Sequence, residues 1–439
     1  MEKQSWSGEQ GFVLAAAGAA VGLGNIWSFP RCVAENGGAV FLAMYLLFAV
    51  LAGYPLLMAE LALGRETGQR PRGAFKAMGA SPLGGILGEA ASLLMMGFYS
   101  VLGGCCIRYM LKNLSGIFRQ GSDGSLSLFL SYISNVPVSA AYTMLFIALS
   151  AAVVMAGISG GLERFSRIAM PLLVLMLPGL IVCSMSLPGA SEGLRQMFAW
   201  PAELNAGGLA DIAAAALVQM FFSLSLGQGV MLTYGSYLPE RVSVPKCALV
   251  VVTADTVIAI LASFAVLPAA SAAGGYGEGG MMLFVTMQTV FASYGPWGSM
   301  FGFLFYLLVL LAALTSAVSL LEVISSFAGE GVGRKGAAVL AGAMAAIPAV
   351  AIARDGMGFG ALPEIFGMSW LDAAALCSEA LLMPLSMLLM IFALRGVRGE
   401  RLLSRQLGIT AGGLTRCSIR RLAPLLLPTV MAVKLLGLE

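Results

Sequence analysis

The sequence predicts an all-α membrane protein: eleven transmembrane helices in a 5+5 inverted repeat, with helices 1 and 6 discontinuous. Three observations carry this reading. Apolar residues make up 59% of the 439 and charged residues 11%, against about 45–50% and 25% in soluble domains. The apolar residues gather in runs of about 20, the length needed to cross a ~30 Å hydrocarbon core. Two of those runs, the first and the sixth, are interrupted by glycines and polar residues in mid-span.

The spans fall roughly at 11–34, 39–65, 88–114, 139–157, 166–187, 210–237, 246–269, 297–328, 336–353, 369–394 and 420–437. The first begins near Gly11 with no basic leader and no small-residue cleavage site, so it reads as a span rather than a signal peptide. It is broken near 20–24, within Gly18-Ala-Ala-Val-Gly-Leu-Gly-Asn-Ile-Trp-Ser-Phe-Pro30. Glycine is entropically costly in a helix and proline removes a donor. In a bilayer, unwound backbone survives only where it lines a cavity or holds a ligand. The plainer alternative, a glycine-rich packing face, does not account for Asn25 and Pro30 beside the glycines. The sixth span is broken near 223–228, within Phe221-Phe-Ser-Leu-Ser-Leu-Gly-Gln-Gly229.

Spans 1–5 (about 11–187) and 6–10 (about 210–394) thus read as two repeats, each opening on a discontinuous helix, with span 11 (about 420–437) appended to one domain covering 1–439. That pattern marks a transporter with its site where the two breaks face each other. With the N-terminus inside, eighteen of the 25 lysines and arginines fall on cytoplasmic segments, as the positive-inside rule requires. The C-terminus is then outside. The arginine-rich stretch 395–421 reads as an inner loop near lipid headgroups. Seven scattered cysteines form no disulfide framework, and the absence of histidine excludes His-based catalysis and most zinc sites.

Gly22-Leu-Gly-Asn-Ile-Trp-Ser-Phe-Pro30, Glu35-Asn-Gly-Gly38, Pro55 to Arg65, Phe222-Ser-Leu-Ser-Leu-Gly227 and Leu314-Thr-Ser316 occur in that order along nearly the whole chain. Together they resemble the neurotransmitter:sodium symporters, and eleven spans are similar to the bacterial amino acid branch, that of the bacterial leucine transporter. The resemblance implies sodium-coupled import of a neutral amino acid through a bacterial plasma membrane, with the lipid bilayer as surroundings and no nucleic-acid partner. It implies two sodium sites. The first would use the Ala20 carbonyl, Asn25, Ser223, Asp255 and the substrate carboxylate; the second the Gly18, Val21 and Ala312 carbonyls with the Thr315 and Ser316 hydroxyls. Read alone, Thr315 and Ser316 suit back-bonding to their own helix, whereas a mid-span acid such as Asp255 is a functional hypothesis by itself.

By the same resemblance the substrate carboxylate rests near Leu23, Gly24 and the Tyr99 hydroxyl, beside Ala20. Met95, Phe222, Ser225, Gln228, Ser316 and Leu320 line the side-chain end. Gly22 stands where monoamine carriers have aspartate, which leaves room for a carboxylate. Gln228 is open to two readings, toward the ligand or toward the unwound backbone. Tyr99 and Phe222 match an aromatic lid; Lys3, Trp6 and Glu330 match a cytoplasmic latch; Gly161 and Pro171 match a helix-5 element that can unwind. Asp255 with Ala259 one turn on implies independence from chloride, since chloride-dependent relatives carry asparagine and serine there. Ser28 replaces the usual gate arginine, and whether Arg31 substitutes for it toward Asp372 stays open. Glu60 matches a residue that bonds the helix-6 break. Glu322 and Glu379 have no assigned role; paired structural carboxyls are preferred over a proton path. A binding-only sensor and an intramembrane enzyme are the competing classes. The gates argue against the first, and the lack of any nucleophile–base pair argues against the second.

Overall fold

The structure is a computed structural model and describes residues 5–115, 122–201, 206–275, 282–328, 331–360 and 362–436. The first helix, α1 (Glu9–Ala20), stops where Val21 turns extended, with φ −72° and ψ 101°. Winding resumes in α2 (Gly24–Glu35), bent 52° from α1. Next come α3 (Ala39–Thr67), α4 (Leu83–Leu114), α5 (Val136–Met155) and α6 (Ile158–Met185). The second break separates α7 (Ala206–Ser223) from α8 (Val230–Ser236). Then follow α9 (Val244–Ala272), α10 (Gly298–Ala328), α11 (Arg334–Asp355), α12 (Trp370–Leu394), α13 (Val397–Cys417) and α14 (Ala423–Leu436).

Among the described residues eight helices are long and apolar enough to cross a membrane, and the bent α1–α2 pair makes a ninth. The eleven-span reading needs two more: α7 with α8, and α14. Each of these pieces is too short alone, since 18 residues in α7 and 14 in α14 rise about 27 and 21 Å at ~1.5 Å per residue.

Burial sorts the helices. In the most apolar window of α4, 83% of residues are buried, and in α10 78%, whereas α6 has 33%. The first two are apolar all round and run side by side through the middle. α6 turns Leu175 and Val182 outward, and α11 turns Ile347 outward, as a lipid-facing surface does. Where α3 crosses α8, glycines allow the backbones to touch. A Cβ on Gly64 would fall 2.0 Å from the Leu232 carbonyl oxygen, and one on Gly235 would fall 2.5 Å from that of Leu61. This is the small-residue crossing that membrane helices use in place of a hydrophobic drive.

Stretch 395–421 departs from the predicted loop. It is largely the helix α13, kinked at Gly408, with Leu402, Leu403 and Leu407 buried against the bundle and Arg405 turned out to Glu66 at 3.1 Å. Leucines at helical spacing opposite arginines give the amphipathic face that a loop would waste.

The acid Glu322 is a paired structural carboxyl. It is buried and bonded to Arg334 at 2.7 Å and to the Tyr237 hydroxyl at 2.9 Å, while Arg334 Nε donates to the Val154 carbonyl. Removing the arginine strands a buried charge. Arg334→Met is therefore expected to lower stability by about 3–5 kcal/mol, read as an earlier thermal unfolding in detergent than for Arg334→Lys.

Candidate functional site

The two breaks meet in the middle of the bundle. At the second, Ser225 takes φ +53° and Gly227 and Gly229 take +80° and +77°, conformations costly for Ser and natural for Gly. Side chains from other helices hold this unwound backbone. Glu60 Oε1 accepts the Gly227 N–H at 2.8 Å, as its match in the sequence implied, and Ser92 Oγ donates to the Gln228 carbonyl at 2.8 Å. At the first break, Asn25 Oδ1 accepts the Gly22 N–H at 2.9 Å.

A narrow chamber of about 10 Å³ lies between the breaks. Of the expected substrate residues, Ala20, Gly24, Met95, Tyr99, Phe222, Ser225, Gln228, Ser316 and Leu320 line it. Leu23 does not. Ala19, Val230 and Ser319 also line the chamber and were not expected. Gly22 has no room for a side chain, because a Cβ there would sit 2.5 Å from Ser316 Oγ and 3.1 Å from the Tyr99 hydroxyl. The polarity of the ends is set by the helices: α1 ends on carbonyls, with Ala19 accepting from Ser225 at 3.3 Å and Ser316 at 3.2 Å, and α2 begins on N–H groups. The chamber thus lies between a negative and a positive helix end.

A second cavity of about 270 Å³ opens beyond, lined by Ser28, Arg31, Glu35, Gln219 and Glu379 among others. Phe222 lines both cavities, so its ring is the partition between them. Ser28 Oγ donates to Gln219 Oε1 at 2.7 Å, and Gln219 Nε2 reaches the Gly24 carbonyl at 3.5 Å. The bridge left open in the sequence is not formed. Arg31 pairs with Glu35 at 2.8 Å, one turn on, and Asp372 bonds Ser369 at 2.6 Å at the start of α12. Glu379, without an account in the sequence, shares the vestibule with Arg31.

Two oxygen clusters flank the chamber. In the first, Asn25 Nδ2 donates to Asp255 Oδ1 at 2.7 Å, and Ser223 Oγ lies 3.0 and 2.9 Å from the two carboxylate oxygens. Tyr45, not singled out in the sequence, donates to Asp255 Oδ2 at 3.1 Å. Its only signal was a phenol in mid-span, whose tip needs a partner when buried. In the second, Thr315 Oγ1 lies 3.5 Å from the Val21 carbonyl and 2.9 Å from that of Ala312, and Ser316 Oγ lies 3.5 Å from Val21 O. Gly18 packs on Thr315, whose Cβ would be 3.2 Å from an added methyl. Thr315 also back-bonds to Leu311 at 3.1 Å, so the plain role of a helical hydroxyl coexists with the convergence.

Of the latch, Lys3 and Glu330 lie outside the described residues. Trp6 is a buried plug, its indole N–H donating to the Tyr234 carbonyl at 3.0 Å and its ring meeting Phe12 and Tyr234. The Gly161–Pro171 element is wound here, in a widened π-type turn over Ile158–Glu163. Glu163 in that turn is buried and accepts the Ser7 N–H at 2.9 Å and an Arg167 N–H at 2.5 Å, a junction absent from the sequence reading.

Broken helices facing each other over a chamber, flanked by oxygen clusters and by a vestibule, are the architecture of a multi-span membrane transporter. The model of the sodium:neurotransmitter symporter family matches residues 3–119 and 126–436. The chain belongs to that family. It is 35% identical over 419 residues to an uncharacterized sodium-dependent transporter, YhdH, of Bacillus subtilis, covering 93% of this chain and 91% of the relative. It is 32% identical over 338 residues to an uncharacterized sodium-dependent transporter of Haemophilus influenzae, covering 74% and 73%. Its structure is similar to that of MhsT in complex with L-phenylalanine, with TM-score 0.88, 31% identity, and 98% and 99% of the two chains covered.

Proposed function

We propose that this chain is a sodium-coupled symporter that carries a neutral amino acid inward by alternating access. The observation that carries the reading is the convergence of both helix breaks on one chamber beside the Asn25–Ser223–Asp255 cluster. The family, the relatives' sodium dependence by name, and the amino acid bound by MhsT support it.

In this reading the substrate carboxylate lies against the start of α2, near Leu23, Gly24 and Tyr99, and its ammonium against the carbonyl end of α1. A first sodium takes the Ala20 carbonyl, Asn25, Ser223, Asp255 and the substrate carboxylate. Asn25 meets that ion through its amide oxygen. A second sodium takes the carbonyls of Gly18, Val21 and Ala312 with the hydroxyls of Thr315 and Ser316. Hard oxygens suit such a cation, and unwound backbone supplies them without an added charge. Among the described residues no charged side chain lines the chamber, which favours a neutral substrate. Phe222 and Tyr99 close it from the vestibule.

Chloride is not required in this scheme. Two cations enter a low-dielectric site, and the substrate carboxylate offsets one. Asp255 offsets the other, and Ala259 offers no hydroxyl for an anion. The chain sits as a single transmembrane domain in a bacterial plasma membrane, N-terminus inside and C-terminus outside, as the placement of lysines and arginines favours.

The test is initial uptake of neutral amino acids into proteoliposomes under an inward sodium gradient. Uptake is expected in sodium chloride and in sodium gluconate, and none in potassium chloride. Uptake indifferent to the cation would remove the coupling, and a large loss in gluconate would remove the role given to Asp255.

A further inference from the structure

We infer that Gln228 selects a substrate whose side chain carries a hydrogen-bonding group, a hydroxyl or a carboxamide, over an apolar one of equal size. The inference rests on the transport reading above and narrows its substrate class.

Gln228 lines the chamber and is 1% exposed. Its backbone is fixed from two sides, by Glu60 on the Gly227 N–H and by Ser92 on its own carbonyl. The side chain is therefore delivered to a set place. There its amide makes a single hydrogen bond among the described residues, from Nε2 to the Met383 sulfur at 3.6 Å. A thioether is a weak acceptor. Whichever way round the amide lies, one polar end faces the thioether and the other has no partner among the described residues. The alternative use of a glutamine here, tying down the unwound backbone, is already served by Glu60 and Ser92.

A buried amide with unfilled hydrogen-bonding capacity is costly. A ligand that fills it gains what an apolar ligand cannot. A pocket built to bond a substrate hydroxyl or N–H rejects the analogue lacking it far more strongly than a hydrophobic pocket rejects an added hydroxyl. The neighbours Met95, Val230 and Leu320 supply the apolar walls. Because hydroxyls and carboxamides both donate and accept, they satisfy the amide in either orientation.

The experiment is competition binding to the purified protein in sodium, using pairs matched in shape: serine and alanine, threonine and valine, glutamine and methionine, tyrosine and phenylalanine. The polar member of the tightest pair is expected to bind at least tenfold better. Gln228→Met, which keeps the length and packs beside Met383, should cut that ratio to twofold or less while sodium dependence remains. Gln228→Leu is the second variant, and the wild-type ranking needs neither. Equal or tighter binding of the apolar member in every pair would overturn the inference and leave the transport reading intact, as would an unchanged ratio in a folded variant. Sodium-independent binding, or none by any of the eight, would overturn the transport reading itself.

Discussion

Asp255→Asn is expected to abolish sodium-driven uptake. The substitution keeps shape and removes charge. The carboxylate is fully buried on α9 and receives hydrogen bonds from Asn25, Ser223 and Tyr45. Three donors facing one acid are arranged for an anion. In the proposed scheme that fixed negative charge offsets a sodium ion that the substrate carboxylate cannot. Without it, a buried cation stands uncompensated, at a cost of several kcal/mol, which is a loss of uptake of a hundredfold or more. Adding serine at Ala259 in the same variant is expected to return activity that depends on chloride. Initial uptake in vesicles, with chloride and with gluconate, reads both effects. A thermal melt near that of the wild type separates them from misfolding. Full activity of the single variant would show that Asp255 carries no charge-balancing role.

Asn25→Ala is the second large effect. The side chain bonds the first break through the Gly22 N–H, and bonds Asp255 and Ser223 across it. Its loss slackens the unwound backbone and removes an ion ligand together. Hydrogen bonds to charged groups are worth about 1.5–3 kcal/mol, roughly 10–100-fold in binding. In the proposed scheme sodium and substrate share this site, so both affinities should fall. Coupling is reciprocal: the factor by which sodium tightens substrate must equal the factor by which substrate tightens sodium, and in the variant both should shrink alike. Titrating each ligand at fixed levels of the other checks this. A variant that loses substrate affinity with its sodium affinity and coupling unchanged would separate the two sites.

The breaks were legible because glycine, proline and mid-span polar residues have few other uses in a bilayer. α1 ends at Ala20 and α7 at Ser223, within the predicted interruptions. Glu60 was legible through its match to a residue that bonds the helix-6 break, and here it accepts the Gly227 N–H. Contacts made between distant helices were not legible. Tyr45 on Asp255, Gln219 on Ser28 and Ser7 on Glu163 pair residues far apart in the chain whose types alone name no partner. Arg31 illustrates the limit. Its place three residues after Ser28 suggested a rebuilt gate, but a helix offers Glu35 one turn away first. Stretch 395–421 was misjudged because its arginines outweighed its leucines in composition, while their spacing, not their number, decided the helix α13.

The most direct test is equilibrium binding of a neutral amino acid to the purified protein, in sodium and in potassium at equal ionic strength. A substrate carboxylate that completes a sodium shell requires affinity to rise steeply with sodium and to be absent in potassium. Equal affinity in the two salts would contradict the shared site on which the account rests.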